Sequence, residues 1–157
     1  MTDGAQSRQR ITPPDPGQFR FRQPVTVRYR DVDAVGHVHN SVHLVYFEMA
    51  RTGYLETIGF KPDMALDIAI RYPFILAEIT CRFIEPVFLE DRISVYLRTC
   101  KVGNKSFDFE YLTVRADGNV VAAGRSVQVF FDYRVRKSIP VPPEFRTLIA
   151  GYEGWQP

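Results

Sequence analysis

Four stretches of the chain alternate apolar and polar side chains with a period of two and are rich in β-branched and aromatic residues: Phe74 to Ile84, Arg92 to Val102, Lys105 to Ala116 and Asn119 to Phe131. Gly103-Asn104 and Asp117-Gly118 separate the last three. Such pairs tolerate positive φ and close tight hairpins, so these strands are expected to run as an antiparallel meander. Upstream, Gln23 to Arg30 reads as another strand, with Val25, Val27 and Tyr29 on one face. The period then lengthens to three and four. Val42, Val45, Tyr46, Met49, Ala50, Gly53 and Tyr54 mark an amphipathic helix, capped by Asn40 or Ser41 and ended by Gly59. Gly53 inside that helix is explained equally by close approach of a strand and by simple tolerance.

One strand, one long helix and four more strands give an α+β fold. The helix must bury its apolar side, which calls for a curved antiparallel sheet of about five strands wrapped around it. Lys61 to Arg71 is expected as a connector with one helical turn opened by Pro62 and Asp63, and Glu144 to Ala150 as a short helix after Pro140, Pro142 and Pro143. The resulting division is an N-terminal arm over residues 1–18, a domain over 19–139 and a C-terminal extension over 140–157.

With 157 residues, 45% of them hydrophobic and 24% charged, the chain supports one domain with a full core and excludes extended disorder over most of its length. The net charge of +2 is spread out, which leaves no nucleic-acid footprint. No apolar run reaches the roughly 18 residues a membrane span needs, and the polar first 18 residues lack the apolar core of a secretory signal. Cys81 and Cys100 sit on different strands without metal-type spacing, so free thiols in a reducing, cytoplasmic setting are expected; a disulfide between them is not required.

The segment from Tyr29 to Arg51 joins acidic residues directly to the start of the helix. A helix start offers unpaired N–H groups and partial positive charge to a developing oxyanion, while a nearby carboxylate can attack a carbonyl or deprotonate water. That pairing suits acyl transfer. Asp31-x-Asp33-x-x-Gly36-His37-Val38-x-Asn40, followed by Tyr46-Phe47-Glu48-x-Ala50-Arg51, resembles the hotdog-fold acyl-CoA thioesterases of the 4-hydroxybenzoyl-CoA thioesterase type. The resemblance implies a hotdog fold and hydrolysis of an acyl-CoA to a carboxylic acid and coenzyme A. It also implies a homodimer or homotetramer with sites near the subunit interface. Within it, Asp33 is the catalytic carboxylate, as nucleophile or general base, and the backbone N–H near Asn40 polarises the thioester carbonyl. Asp31 organises the turn. Gly36 supplies a tight turn, and His37, a catalytic candidate as well as a structural one, either orients that turn or lines the acyl site. The alternatives are an acyl-carrier-protein thioesterase and a noncatalytic acyl-thioester-binding protein; enoyl hydration is disfavoured because its Asn-Pro segment is absent.

The same resemblance directs the coenzyme A nucleotide toward Lys105 and Ser106, whose cation and hydroxyl suit phosphate, although the residues themselves favour a solvated hairpin tip. Beyond coenzyme A as part of the substrate, no cofactor is expected. The chain departs from its relatives at His39, where Asn is common, and at His43, where Tyr is usual. His37, His39 and His43 beside two aspartates offer ligand chemistry but match no metal spacing, so no metal is assigned. Glu48 and Arg51, three apart on the helix, are expected to form an ion pair in preference to the alternative in which Glu48 faces the site as a second carboxylate. Phe74, Phe83, Tyr46 and Phe47 are candidates for an acyl pocket, though aromatic residues at core spacing more often pack.

Overall fold

The computed structural model describes residues 12–61 and 72–155. The chain forms β1 (Phe21–Thr26), α1 (Asn40–Thr57), β2 (Phe74–Phe83), β3 (Arg92–Val102), β4 (Ser106–Arg115), β5 (Val120–Asp132), β6 (Lys137–Ser138) and α2 (Pro143–Glu153). The main sheet is antiparallel in the order β1-β3-β4-β5-β2, and the two-residue β6 adds to β5. The curved sheet around a long helix expected from the alternation pattern is the arrangement found. The β3-β4-β5 meander is found as well. The expected connector at Lys61 to Arg71 and the first part of the arm lie outside the described residues, apart from Lys61 itself. Among the described residues no helix is long and apolar enough to cross a membrane.

The first strand is shorter and earlier than its composition suggests. Its ladder with β3 runs from Phe21 opposite Leu97 to Thr26 opposite Arg92, where β3 itself begins, so Val27 to Arg30 have no strand to pair with. Tyr29 to Asp31 instead wind into a single 3₁₀ turn that leaves Tyr29 exposed while Val25 and Val27 stay buried. Pro24 is tolerated because β1 is an edge strand.

The buried face of α1 is also rotated from the expected stripe. His43, Tyr46, Phe47, Ala50, Tyr54 and Leu55 face the sheet, whereas Val45 and Met49 are exposed. Phe47 is fully buried and stacks on Tyr111 with ring centroids 4.3 Å apart, a burial that contributes about 2–3 kcal/mol. The sheet can come this close because β5 carries Gly124 beneath Phe47; a Cβ there would lie 2.5 Å from the ring and 2.6 Å from the Thr80 carbonyl. Gly53 marks a second approach, since its missing Cβ would meet Phe21 at 3.1 Å and the Gln23 amide at 2.8 Å. Of the two explanations for that glycine, close approach of a strand is the one found.

Gly59 ends the helix at φ +83°, and Gly118 turns β4 into β5 at φ +91°. The Gly103-Asn104 turn works differently: neither residue has positive φ, and a three-residue connection is closed by Gly103 N–H donating to the Ser106 carbonyl at 2.7 Å. Helix α2 is longer than expected, and its Phe145 and Ile149 are fully buried beside Phe107 and Phe130 in the same core as α1. On the other face of the sheet, Phe19 covers Leu112 and Val114. Cys81 and Cys100 are both free thiols; burial pushes the Cys81 thiol up to about 11.

Candidate functional site

The segment between β1 and α1 is a small closed hairpin. Asp33 N–H donates to the His37 carbonyl (3.0 Å), Gly36 N–H to the Asp33 carbonyl (3.0 Å) and His39 N–H to the Asp31 carbonyl (2.8 Å). Gly36 sits at φ +94°, a conformation that side chains with a Cβ rarely adopt. Val38 N–H donates to the Val87 carbonyl at 2.7 Å and pins the hairpin to the segment after β2. The Asp31 carboxylate holds the base of the hairpin by accepting from Arg28 N–H and from the Tyr46 hydroxyl, each at 2.9 Å. Tyr46 is buried, and burial together with that hydrogen bond raises its phenol well above the ordinary range.

The helix cap is His39, not Asn40 or Ser41. His39 is extended (φ −61°, ψ 140°), and its Nδ1 accepts from Ser41 N–H at 3.1 Å, with the Ser41 hydroxyl at 2.8 Å from the same nitrogen. The ring thereby acts as a side-chain oxygen normally does at a cap. Asn40 becomes the first helical residue. Backbone donors on either side of it are committed: His39 N–H to Asp31, Ser41 N–H to His39 Nδ1 and Val42 N–H to the His39 carbonyl. Among the described residues the Asn40 N–H has no partner, and it stands at the positive end of an 18-residue helix.

Asp33 lies in the same hairpin. One carboxylate oxygen accepts from Val35 N–H at 2.8 Å, closing an Asx turn, and the other stands 4.0 Å from His37 Nδ1. His37, Val38, Asn40 and His43 form one wall of a cavity of about 330 Å³, whose other wall is Phe83, Ile84, Glu85, Pro86 and Val87. Asp33 borders this cavity through His37 and does not line it. His43 is only 4% exposed, and burial, helped by the nearby His37, lowers its pKa below 6.5. An unpaired helix N–H and a partly apolar cavity therefore meet at one end of the sheet, with the Asp33 carboxylate behind His37.

Other candidates fall elsewhere. Lys105 and Ser106 are at the opposite end: the Lys105 carbonyl accepts from Phe130 N–H, Phe130 pairs with Phe74, and the ten residues of β2 then separate Phe74 from Phe83, roughly 30 Å. Lys105 Nζ there donates to the Ser138 carbonyl at 3.3 Å. Glu48 and Arg51 form no ion pair. Arg51 donates to the Tyr111 hydroxyl at 3.4 Å, and both helix residues face a separate cleft of about 190 Å³ with Tyr72, Phe74 and Gln128. Of the four aromatic candidates only Phe83 lines the cavity at the hairpin. His39 serves the cap, and among the described residues no group of three or more potential metal ligands comes together. The Tyr46–Asp31 tie and the wall from Phe83 to Val87 carry no local signal, because each joins residues distant in the chain.

A model of the Thioesterase-like superfamily matches residues 27–149. The acyl-CoA thioester hydrolase YbgC of Escherichia coli O6:H1 is 27% identical over 133 residues, 85% of this chain and 96% of that protein. The acyl-CoA thioesterase YbgC of Haemophilus influenzae is 30% identical over 95 residues, 60% of this chain and 69% of its own. A thioesterase from Thermus thermophilus, solved in complex with coenzyme A and Zn, superposes with a TM-score of 0.76 at 31% identity and covers 89% of this chain and 98% of that one.

Proposed function

The chain belongs to the Thioesterase-like superfamily and is a hotdog-fold thioester hydrolase, and we propose that its substrates are acyl-CoA thioesters, with Asp33 as the catalytic carboxylate and the Asn40 N–H as oxyanion donor. The observation that carries this reading is the unpaired Asn40 N–H at the mouth of a cavity, in the hairpin that also holds Asp33. As general base, Asp33 takes a proton from water while the water oxygen bonds to the thioester carbon. The oxyanion forms against the Asn40 N–H, and its collapse breaks the C–S bond to release coenzyme A as the thiol and the acyl group as the acid. As nucleophile, Asp33 bonds to the carbonyl carbon directly and water then hydrolyses the mixed anhydride. A single turnover in ¹⁸O-water that leaves label on Asp33 identifies the second route, with water attacking the Asp33 side of the anhydride, because the general-base route places the label only in the product acid.

The relatives named for acyl-CoA hydrolysis support coenzyme A as the carrier, and the two free thiols support a reducing, cytoplasmic setting. Among the described residues the outer edge of β2 has no strand partner and exposes Leu76 and Phe83. Antiparallel pairing of two such edges makes a homodimer and sets the Phe74 end of one copy beside the Phe83 end of the other. That arrangement brings the Lys105-Ser106 tip of the second copy toward the cavity, where it can meet the nucleotide phosphates.

Thiol release from a panel of short, long and aromatic acyl-CoAs tests the assignment, with acyl-carrier-protein thioesters alongside. Asp33→Asn is expected to lower kcat by about 10²- to 10⁴-fold while leaving the thermal midpoint close to wild type. Equal rates for wild type and Asp33→Asn would remove Asp33 from the chemistry. Preference for the carrier-protein thioesters would reassign the carrier, and tight binding without thiol release would make the protein a binding module.

A further inference from the structure

The cavity at the helix start has an uncommitted polar group deep in its wall. Among the described residues, His43 Nδ1 is fully enclosed and has no hydrogen-bond partner, and Nε2 likewise has none but is not enclosed. The ring is held in place: it meets Phe83 edge-on at 5.3 Å between centroids and Tyr46 at 6.2 Å. Of the other polar lining residues, His37 stands 4.0 Å from Asp33 and Glu85 pairs with Arg115 at 3.1 Å, which leaves Asn40 and His43 as the uncommitted ones among the described residues. Around His43 the lining is Val38, Phe83, Ile84, Pro86 and Val87. A second aromatic hydrocarbon ring would fill such a wall without leaving a nitrogen unpaired.

The placement of the proton follows from the enclosure. Burial favours the neutral ring. Of its two nitrogens, the enclosed Nδ1 keeps only a lone pair unsatisfied if the proton sits on Nε2, a smaller loss than trapping an N–H donor. Nε2 is then a donor facing the cavity. His43 lies three positions after Asn40, about 4.5 Å along the helix axis on the same face, and side chains lean back toward the helix start. The donor therefore reaches a point only a few bonds beyond a carbonyl seated on the Asn40 N–H.

We infer that His43 is the specificity-determining residue of this cavity, and that the acyl group it selects carries an oxygen a few bonds from the thioester, which accepts a hydrogen bond from His43 Nε2–H. The inference rests on the assignment of the cavity to the acyl group. It names a substrate class, acyl-CoAs oxygenated near the third carbon, over their unsubstituted counterparts of the same length.

Binding to the Asp33→Asn protein, measured by calorimetry, tests this without needing turnover. The probes are the pairs butyryl-CoA with acetoacetyl-CoA and octanoyl-CoA with 3-oxooctanoyl-CoA. In at least one pair the oxygenated member is expected to bind about tenfold tighter. His43→Phe in the same background keeps a ring at this place and is expected to bring the ratio to about one, the loss falling on the oxygenated member; His43→Gln, which restores an N–H donor, recovers part of the preference. Equal affinities within both pairs, or a His43→Phe loss that falls equally on both members, overturns the inference. The two readings fail separately: a His43-dependent preference in a protein whose wild type releases no thiol sinks the hydrolase assignment alone, whereas thiol release without preference sinks only the role of His43.

Discussion

Asn40→Pro removes one N–H from the site together with the Asn40 side chain, and little else. Asn40 is the first residue of the helix, where proline is favoured because its fixed φ is already helical and the missing donor is one the helix does not use. The preceding His39, at φ −61° and ψ 140°, already has the extended backbone that a following proline requires. The Asn40 N–H has no partner among the described residues, so no hydrogen bond is lost on folding and stability should stay within about 1 kcal/mol of wild type. If that N–H holds the oxyanion, its loss lowers kcat by about 10²- to 10³-fold, or roughly 3–4 kcal/mol of transition-state stabilisation. Asn40→Ala is the control, since it removes the side chain and keeps the donor, and it should retain most of the activity. The assay is thiol release from a good acyl-CoA substrate, with thermal unfolding of all three proteins alongside. A folded Asn40→Pro protein with kcat near wild type would refute the reasoning and move the oxyanion to another donor.

Tyr46→Phe deletes the 2.9 Å hydrogen bond to Asp31 without opening a cavity; because Asp31 is partly accessible to water and keeps Arg28 N–H, the cost should be about 1.5 kcal/mol, read as a fall of roughly 3–6 °C in Tm. A double-mutant cycle with Asp31→Asn should show a coupling of about 1 kcal/mol, and additive effects would show that the pair is not coupled. Gly124→Ala drives a Cβ to 2.6 Å from the Thr80 carbonyl and should cost about 3 kcal/mol in urea unfolding, whereas Gly53→Ala meets the movable Gln23 side chain and the Phe21 ring at 3.1 Å, is partly offset by helix propensity, and should cost about 1 kcal/mol; a stabilised Gly53→Ala protein would contradict the close-approach account. His43 has a folded pKa below 6.5, so as pH falls through 6.5 the unfolded chain takes up a proton that the folded chain refuses, and stability present above that pH is lost on the way down. His43→Phe removes this contribution, and a wild-type profile that parallels the variant between pH 7 and 5 would disprove it.

The four long strands from Phe74 onward were legible to within a residue or two because alternation, β-branching and turn residues are local properties, whereas the two-residue β6 was not expected. The end of the first strand was not, since it is set by where β3 begins, about 65 residues later in the chain. The helix was legible as a helix, but its orientation was not: Val45 and Met49 fit the period as well as His43 and Phe47, and only the glycine surface of β5 decides which face goes down. The cap was missed for a different reason. Histidine is not a residue one looks for at a cap, yet an extended His39 offers Nδ1 where asparagine would offer an oxygen.

The candidate site divides along the same line. Asp33, Gly36, His37 and Asn40 lie within eight residues, so the hairpin that gathers them is encoded where they stand, and its Asx turn and positive-φ glycine follow from residue type alone. The parts that turn this hairpin into a cavity come from elsewhere: Tyr46 from the second turn of the helix to hold Asp31, Val87 to accept from Val38, and Phe83 to face His43. These long-range contacts also explain why His43 could be noticed as a departure in the sequence without acquiring a role. A histidine on a helix is unremarkable until the strand across from it proves to be apolar and its inner nitrogen proves to have nothing to bond. On the proposed reading the hairpin supplies the chemistry, and the wall that begins at Phe83 sets which acyl groups the chemistry can reach.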